Sequence, residues 1–359
     1  MKVSEYVSLG HPDKTADYIS EYILDRLIEQ DPKTRYGLEV QVKDNYVTLG
    51  GEITTNAKKL KYKKWVKEAI EKIGYTHEYA KKWGKNNCLD ASKVKVATHI
   101  SKQSHDIAIG VDEDKNQGWG DQGQFWGYAS NDKSTGFMGA EYYYAKILCT
   151  ELYNWLLDSC NRELTNMFGL DIKTQITTNI CHNVEKVVVA IPTKNMLWCD
   201  IIELKVKRIL NTIGATLSND CEIIINGTGS YIQHSSFGDC GTTGRKLAVD
   251  MYGGDCVIGG GSMATKDGTK ADLTLNMYAR EVALKYSKKL NTDIRVCIGC
   301  CIGRNDINIA VYDSKNKLIA DYIEKCNVKE LIEKYKLNKP IFADLCEHGY
   351  FSIIDKEFI

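Results

Sequence analysis

Proline is scarce in this chain: four residues in 359, at Pro12, Pro32, Pro192 and Pro340. No proline-rich linker or low-complexity tract divides it, so its subdomains are expected to pack tightly or interleave. Net charge is lacking too, since 47 basic residues balance 47 acidic ones. A dedicated nucleic-acid binder usually carries a basic excess, and that class is disfavoured. No run approaches the roughly 18 apolar residues of a membrane span. The opening MKVSEYVSLGHPDK has no apolar leader core. Thirteen cysteines are present, but they are scattered and odd in number, unlike a disulfide framework. Reduced thiols in a cytoplasmic protein are expected. Cys297, Cys300 and Cys301 have no second CxxC partner and sit in the apolar run IRVCIGCCIG. They read as small buried strand residues.

Hydrophobic content of 43% and charged content of 26% are those of a globular protein. The length calls for two or three subdomains of roughly 100–150 residues. Residues 13–30 place Ala16, Ile19, Ile23, Leu24, Leu27 and Ile28 at helical spacing. Residues 34–54 read as a hairpin turning near Lys43–Asp44–Asn45, followed by a helix over 56–73. Its KKLKYKK stretch reads as a solvated lysine face rather than a nucleic-acid patch. The same strand–strand–helix unit recurs as a hairpin around Asn183 with a helix at 195–213. It recurs again as a hairpin around Arg304–Asn305–Asp306 with helical residues near 328–336. The pattern predicts an α+β protein of three pseudo-symmetric α/β subdomains, with segments 1–107, 108–228 and 229–359.

The chemistry-bearing segments are GHPDK (10–14), GDCGTTGRK (238–246) and GGGSMATKDGTKAD (259–272). Glycine-rich turns let backbone N–H groups approach phosphates. Arg245, Lys246, Lys266 and Lys270 are the cations that grip phosphate oxygens and stabilise charge on a leaving group. Asp13 and Asp272 are hard oxygen donors suited to Mg²⁺. Neither a Walker A sequence nor the HRD and DFG motifs of protein kinases occur. A nucleotide site here is therefore neither a P-loop nor a kinase site.

With GGEITTNA (50–57), KQSHDI (102–107), GWGDQG (118–123) and LDIKTQIT (170–177) between them, these motifs in this order resemble the S-adenosylmethionine synthetase family. The resemblance runs from Ser4 to about Gly303. It implies three subdomains with mixed sheets packed inward, and a reaction in which methionine sulfur attacks C5′ of ATP. The expelled tripolyphosphate is then hydrolysed to pyrophosphate and phosphate. Carried over by motif, it makes His11 the contact to the leaving oxygen. It assigns ATP to His11, Asp171, Lys173, Tyr231, Asp239, Arg245, Lys246, Lys266 and Lys270. Tyr231 is the ring that stacks on adenine. The catalytic set is His11, Lys173, Arg245, Lys246 and Lys270. Methionine falls to Glu52, Gln103, Asp239 and Lys270. Two Mg²⁺ per site fall to Asp13 and Asp272, and K⁺ to Glu39. Gly118 and Asp121 lie in the region of a lid. A homodimer with sites shared between subunits is implied, in some members paired into a tetramer.

The chain departs from the family pattern in several places. His105 replaces a proline and Trp119 a small residue, both beside the lid, so altered lid dynamics are expected. Ala190-Ile191-Pro192-Thr193 stands where a polar run approaches the adenosine. Two alternatives stay open at this point. One is an ATP-using relative with another nucleophile or with tripolyphosphatase activity alone, which Glu52 and Gln103 disfavour. The other is a non-catalytic subunit, against which the retained cations argue.

Overall fold

The computed structural model describes residues 1–102 and 118–358. Three four-stranded sheets form its frame. The first is built on the hairpin β2 (Arg35–Lys43) and β3 (Tyr46–Thr54), the second on β6 (Lys173–Thr178) and β7 (Val184–Ala190). The third is built on β10 (Ile294–Cys300) and β11 (Asp306–Asp313). All three are the hairpins expected from sequence. The first turns through Asp44, whose φ of 52° is left-handed, a conformation that Asp tolerates better than most residues.

A long helix precedes each hairpin: α1 (Pro12–Ile28), α4 (Ala140–Leu157) and α6 (Ala271–Leu290). They pack on β2, on β6 and on β10, respectively. In the first two sheets the outer strand runs parallel to its neighbour: β4 (Lys95–Ser101) beside β3 and β8 (Leu217–Ile225) beside β7. A parallel neighbour requires a crossover. The helices α2 (Tyr62–Ile73) and α3 (His77–Trp83) supply the first, and α5 (Cys199–Thr212) the second. In the third sheet β12 (Leu318–Lys325) follows β11 through a short turn and is antiparallel.

The remaining strand of each sheet comes from another repeat. The strand before α1 is β1 (Lys2–Val7), and it pairs with β6 of the second sheet. The strand before α4 is β5 (Gly123–Ala129), and it pairs with β10 of the third. The strand before α6 is the short β9 (Gly241–Thr242), and it pairs with β2 of the first. Each repeat thus lends its leading strand to the next in a closed cycle. A chain without extended linkers is the natural outcome of that exchange.

Two expectations need adjustment. The helix expected over 56–73 begins only at Tyr62. The Asn56 N–H donates to the Asp31 carboxylate at 2.6 Å and the Ala57 N–H to the Thr55 hydroxyl at 3.1 Å, which holds this backbone outside a helix. The expected buried cysteines are only half-buried at Cys297 and Cys300, and Cys301 is exposed beyond the end of β10.

Helix α1 is unusual in its burial: every residue except Arg26 is buried. Its apolar side, with Ile19, Ile23 and Leu27, joins the core. Its polar residues must then find partners inside the protein. Arg280 on α6 is also completely buried. Its guanidinium donates to the carbonyls of Tyr128, Gly136 and Phe137 and pairs with Asp355 at 2.9 Å. It therefore ties α6 to the lent strand β5 and to the last helix, Ser352–Phe358. Arg280→Met should cost about 3–5 kcal/mol, because it strands a carboxylate and three buried carbonyls. Urea denaturation of the two proteins measures this. Retention of wild-type stability would contradict the role of Arg280.

Candidate active site

The N-terminus of α1 gathers the first group of site residues. His11 is the N-cap, its Nδ1 accepting the Asp13 N–H at 3.2 Å, and Pro12 fills the first helical turn. Two glycines of the motifs are explained by close approaches. A Cβ on Gly10 would lie 2.2 Å from the Leu170 carbonyl oxygen, and one on Gly241 would lie 2.1 Å from that of Pro12. The first lets the chain leaving β1 pass the start of LDIKTQIT. The second lets GDCG close onto α1. Asp13 then takes the Thr242 N–H at 3.0 Å and the Lys246 ammonium at 2.5 Å, with Arg245 at 3.7 Å.

Burial works against the charge on Asp13, but the bonds from Lys246 and Thr242 outweigh it and hold the carboxyl below its usual range. His11 is driven the other way. Burial, then the positive charge of Lys246, lowers its pKa from 6.5 to about 4, and Asp13, Lys173 and Asp239 share the same field. His11 is therefore neutral at physiological pH. Its Nδ1 is an acceptor, so Nε2 carries the hydrogen and is a donor.

Asp171 borders this group. Its carboxylate takes the Ser235 N–H at 2.9 Å, and its carbonyl accepts the Tyr231 hydroxyl at 3.4 Å. Burial raises its pKa to about 7. Lys173 pairs with Glu5 at 2.7 Å, Asp239 is exposed, and Arg245 donates to the Cys240 carbonyl at 3.3 Å. Behind them stands a chain that sequence reading missed. His234 Nδ1 donates to the Ile232 carbonyl and its Nε2 accepts the Tyr79 hydroxyl, which in turn accepts the Leu170 N–H. Tyr75 donates to the Gly10 carbonyl at 2.6 Å. The Ala190–Thr193 segment is packed rather than open. Thr193 is fully buried, and its N–H donates to the Tyr231 carbonyl at 3.0 Å. It braces the backbone of Tyr231.

A second group forms around the start of α6. Asp272 accepts the Gly261 N–H at 2.8 Å and faces Lys266 at 3.4 Å. Lys270 pairs at 2.5 Å with buried Asp267, which also accepts the Tyr36 N–H at 2.7 Å. Glu52 on β3 is exposed opposite Gly37, which also bridges to Lys266. Asp121 is exposed, and its carbonyl accepts the Cys300 thiol at 3.4 Å. Gly118 lies tight against Gly303, and Trp119 is completely buried, bridged to Ile302. Trp119 thus anchors its end of the GWGDQG segment to the β10–β11 turn. Gln103 and His105 lie outside the described residues.

Among the described residues no hydrogen bond or ion pair joins a cation or carboxylate of one group directly to the other. Glu39 stands between them, accepting hydroxyl hydrogen bonds from Thr243 and, at 3.2 Å, from Thr265. All five expected phosphate cations, Lys173, Arg245, Lys246, Lys266 and Lys270, are paired with a carboxylate, Arg245 and Lys246 sharing Asp13. Sequence reading also missed the carboxylates Asp17, Glu21 and Asp25 of α1, although their four-residue spacing from Asp13 was visible.

Gly241→Ala should force the loop off α1 at a cost of about 1–3 kcal/mol and expose the Thr242 amide to hydrogen exchange. An unchanged Thr242 protection would refute the close-approach argument. His11 and His234 are both lowered from 6.5 to about 4, His234 chiefly by burial. Their stabilising contribution is full above pH 6.5 and is lost as pH falls through 4. Imidazole NMR titration should show two histidines with midpoints near 4.

Comparison with known proteins agrees along the whole length. Residues 1–105 match the S-adenosylmethionine synthetase N-terminal domain, residues 116–231 its central domain and residues 234–358 its C-terminal domain. The S-adenosylmethionine synthase of Mesoplasma florum is 31% identical over 370 aligned positions, covering 97% of this chain and 94% of that protein. An unusual S-adenosylmethionine synthetase from Campylobacter jejuni superimposes with a TM-score of 0.83 at 29% identity, over 97% of this chain and 94% of that one. The chain belongs to the S-adenosylmethionine synthetase family, whose members are methionine adenosyltransferases.

Proposed function

We propose that this protein forms S-adenosylmethionine from ATP and L-methionine by direct attack of the methionine sulfur on C5′ of ATP. The S–C5′ bond forms as the C5′–O bond breaks, and the triphosphate chain leaves intact with the electron pair. Sulfur is neutral and already nucleophilic, so no base has to remove a proton from it. The observation that carries the reading is neutral His11 at the N-terminus of α1, beside Asp13, Lys173 and Lys246. Its Nε2–H suits a hydrogen bond to the departing oxygen, where the 17-residue helix α1 also directs its positive end. A leaving tripolyphosphate needs its charge stabilised rather than a proton delivered. Arg245, Lys246, Lys173, Lys266 and Lys270 serve that need. Their present carboxylate partners hold them in place until phosphate replaces those partners. Water then cleaves the tripolyphosphate to pyrophosphate and phosphate.

Tyr231 and Asp171 would hold the adenosine, and Glu52, Gln103, Asp239 and Lys270 the methionine. Gly118 and Asp121 belong to the lid. The residues present fit the metals that the family implies. Asp13 is a buried carboxylate already balanced by a cation, and Asp272 keeps one oxygen turned to Lys266. Such single hard donors suit Mg²⁺, which completes its shell from phosphate and water. Glu39 with the Thr243 and Thr265 hydroxyls is an all-oxygen set that fits K⁺. When bound, the Mg²⁺ ions would neutralise charge on the triphosphate.

The separation of the two groups supports a homodimer in which each site takes one group from each subunit, with a tetramer as a further pairing. All thirteen cysteines are free thiols, in keeping with a reducing, cytoplasmic setting. Among the described residues no helix is long and apolar enough to cross a membrane.

Purified protein with ATP, Mg²⁺ and K⁺ should yield S-adenosylmethionine, pyrophosphate and phosphate in equal amounts, and only when methionine is added. Phosphate release without S-adenosylmethionine would defeat the reading. Asp171, with its pKa raised to about 7 by burial, loses its negative charge as pH falls through 7. The kcat/KM for ATP, which reports the free enzyme, should therefore decline below pH 7. In Asp171→Asn it should be lower throughout and lack that inflection.

A further inference from the structure

Asp13, Asp17, Glu21 and Asp25 follow one another at four-residue spacing, so they climb one face of α1. All four are buried. Each accepts backbone N–H groups from a segment remote in sequence. Asp13 takes that of Thr242 at 3.0 Å and Asp17 that of Gly244 at 2.9 Å. Glu21 takes that of Thr265 at 3.0 Å, and Asp25 those of Phe342 and Ala343 at 2.8 and 2.9 Å. Gly244 immediately precedes Arg245 and Lys246, and Thr265 immediately precedes Lys266.

We propose that Asp17 and Glu21 are positioning residues, each fixing one phosphate-gripping loop on α1 for a different one of the two sites that the chain helps to build, with Tyr350 holding Glu21 in place from the C-terminal segment. This rests on the reading of those loops as polyphosphate-binding. The rise of an α-helix separates residues 17 and 21 by about 6 Å, so α1 holds the Gly244 and Thr265 amides on successive turns. Each anchor is itself fixed. The second oxygen of Asp17 faces Lys14 at 3.2 Å, and Lys14 also holds Asp250 at 2.8 Å. Glu21 Oε1 accepts both the Thr265 N–H and, at 2.9 Å, the Tyr350 hydroxyl, while its buried Oε2 has no partner. Burial raises the Glu21 pKa well above that of an ordinary carboxyl, which suits a group that acts as a neutral acceptor. Glu39 braces the same two loops from β2 through the hydroxyls of Thr243 and Thr265.

The test compares wild type, Glu21→Met and Glu21→Gln in full-length protein. Methionine keeps the bulk and removes the acceptor. Glutamine keeps Oε1. Glu21→Met should lower kcat/KM for ATP about 30-fold, as expected for a displaced catalytic group, and change the KM for methionine by less than about twofold. Glu21→Gln should recover to within about threefold of wild type. A Met variant that melts at lower temperature yet keeps wild-type kcat and ATP KM overturns the proposal, because the role is then structural only. Should Glu21→Met not fold, Tyr350→Phe carries the test. It should lose about threefold in kcat/KM for ATP, and a change in melting temperature alone overturns the proposal. If the wild-type protein makes no S-adenosylmethionine, the functional reading fails separately. Tripolyphosphate affinity, measured by calorimetry on the same variants, then decides the positioning role: the same ranking supports it and equal affinities overturn it.

Discussion

A helix buried along nearly its whole length must find partners for its polar groups within the protein, and α1 is that helix. The pair between Asp13 and Lys246 at 2.5 Å is the one on which the site depends. It keeps one carboxylate ionised in a buried place, and the positive charge of Lys246 adds to burial in keeping His11 neutral. Breaking such a pair typically costs about 3–5 kcal/mol. Asp13, Asp17 and Glu21 take as partners backbone amides and a cation of the very loops that carry the chemistry. Folding the core and assembling those loops are therefore one process.

The exchange of leading strands explains why these loops reach α1 at all. The short β9 lies about 200 residues beyond β2 in sequence. In space it is the fourth strand of the first sheet, hydrogen-bonded to β2 beside α1. The strand β1 makes the reciprocal connection, bringing Glu5 beside Lys173 in the second sheet. Segments far apart in sequence meet because the sheets are shared. The cyclic exchange also leaves Lys266, Lys270 and Asp272 at the start of α6, with no direct bond among the described residues to the group at His11.

Much of the fold was legible in sequence because its signals are local. Alternating apolar residues and turn residues at Asp44, Asn183 and Asn305 locate the hairpins, and helical spacing locates α1. The exchange of β1, β5 and β9 was not legible, since strand pairing between repeats leaves no local mark. The motif residues mapped onto two coherent groups because glycines and charged residues at fixed offsets record loop geometry. The carboxylates beyond Asp13 were passed over because an acid on a helix usually means solvent. Only the burial of α1 reverses that meaning. In sequence, Trp119 and Thr193 read as departures near moving or ligand-binding parts. Their complete burial makes them packing residues that brace Tyr231 and the β10–β11 turn.

The central claim is that one chain carries two half-sites that are completed only by a second copy. Mixing two inactive proteins tests it most directly. Lys246→Met disables the group at α1, and Lys266→Met disables the group at α6. After subunit exchange, half of the dimers are mixed, and each mixed dimer holds one site free of both substitutions. The account predicts recovery of about a quarter of wild-type activity from the mixture, with neither protein active alone. A mixture that exchanges subunits fully and stays inactive would contradict it.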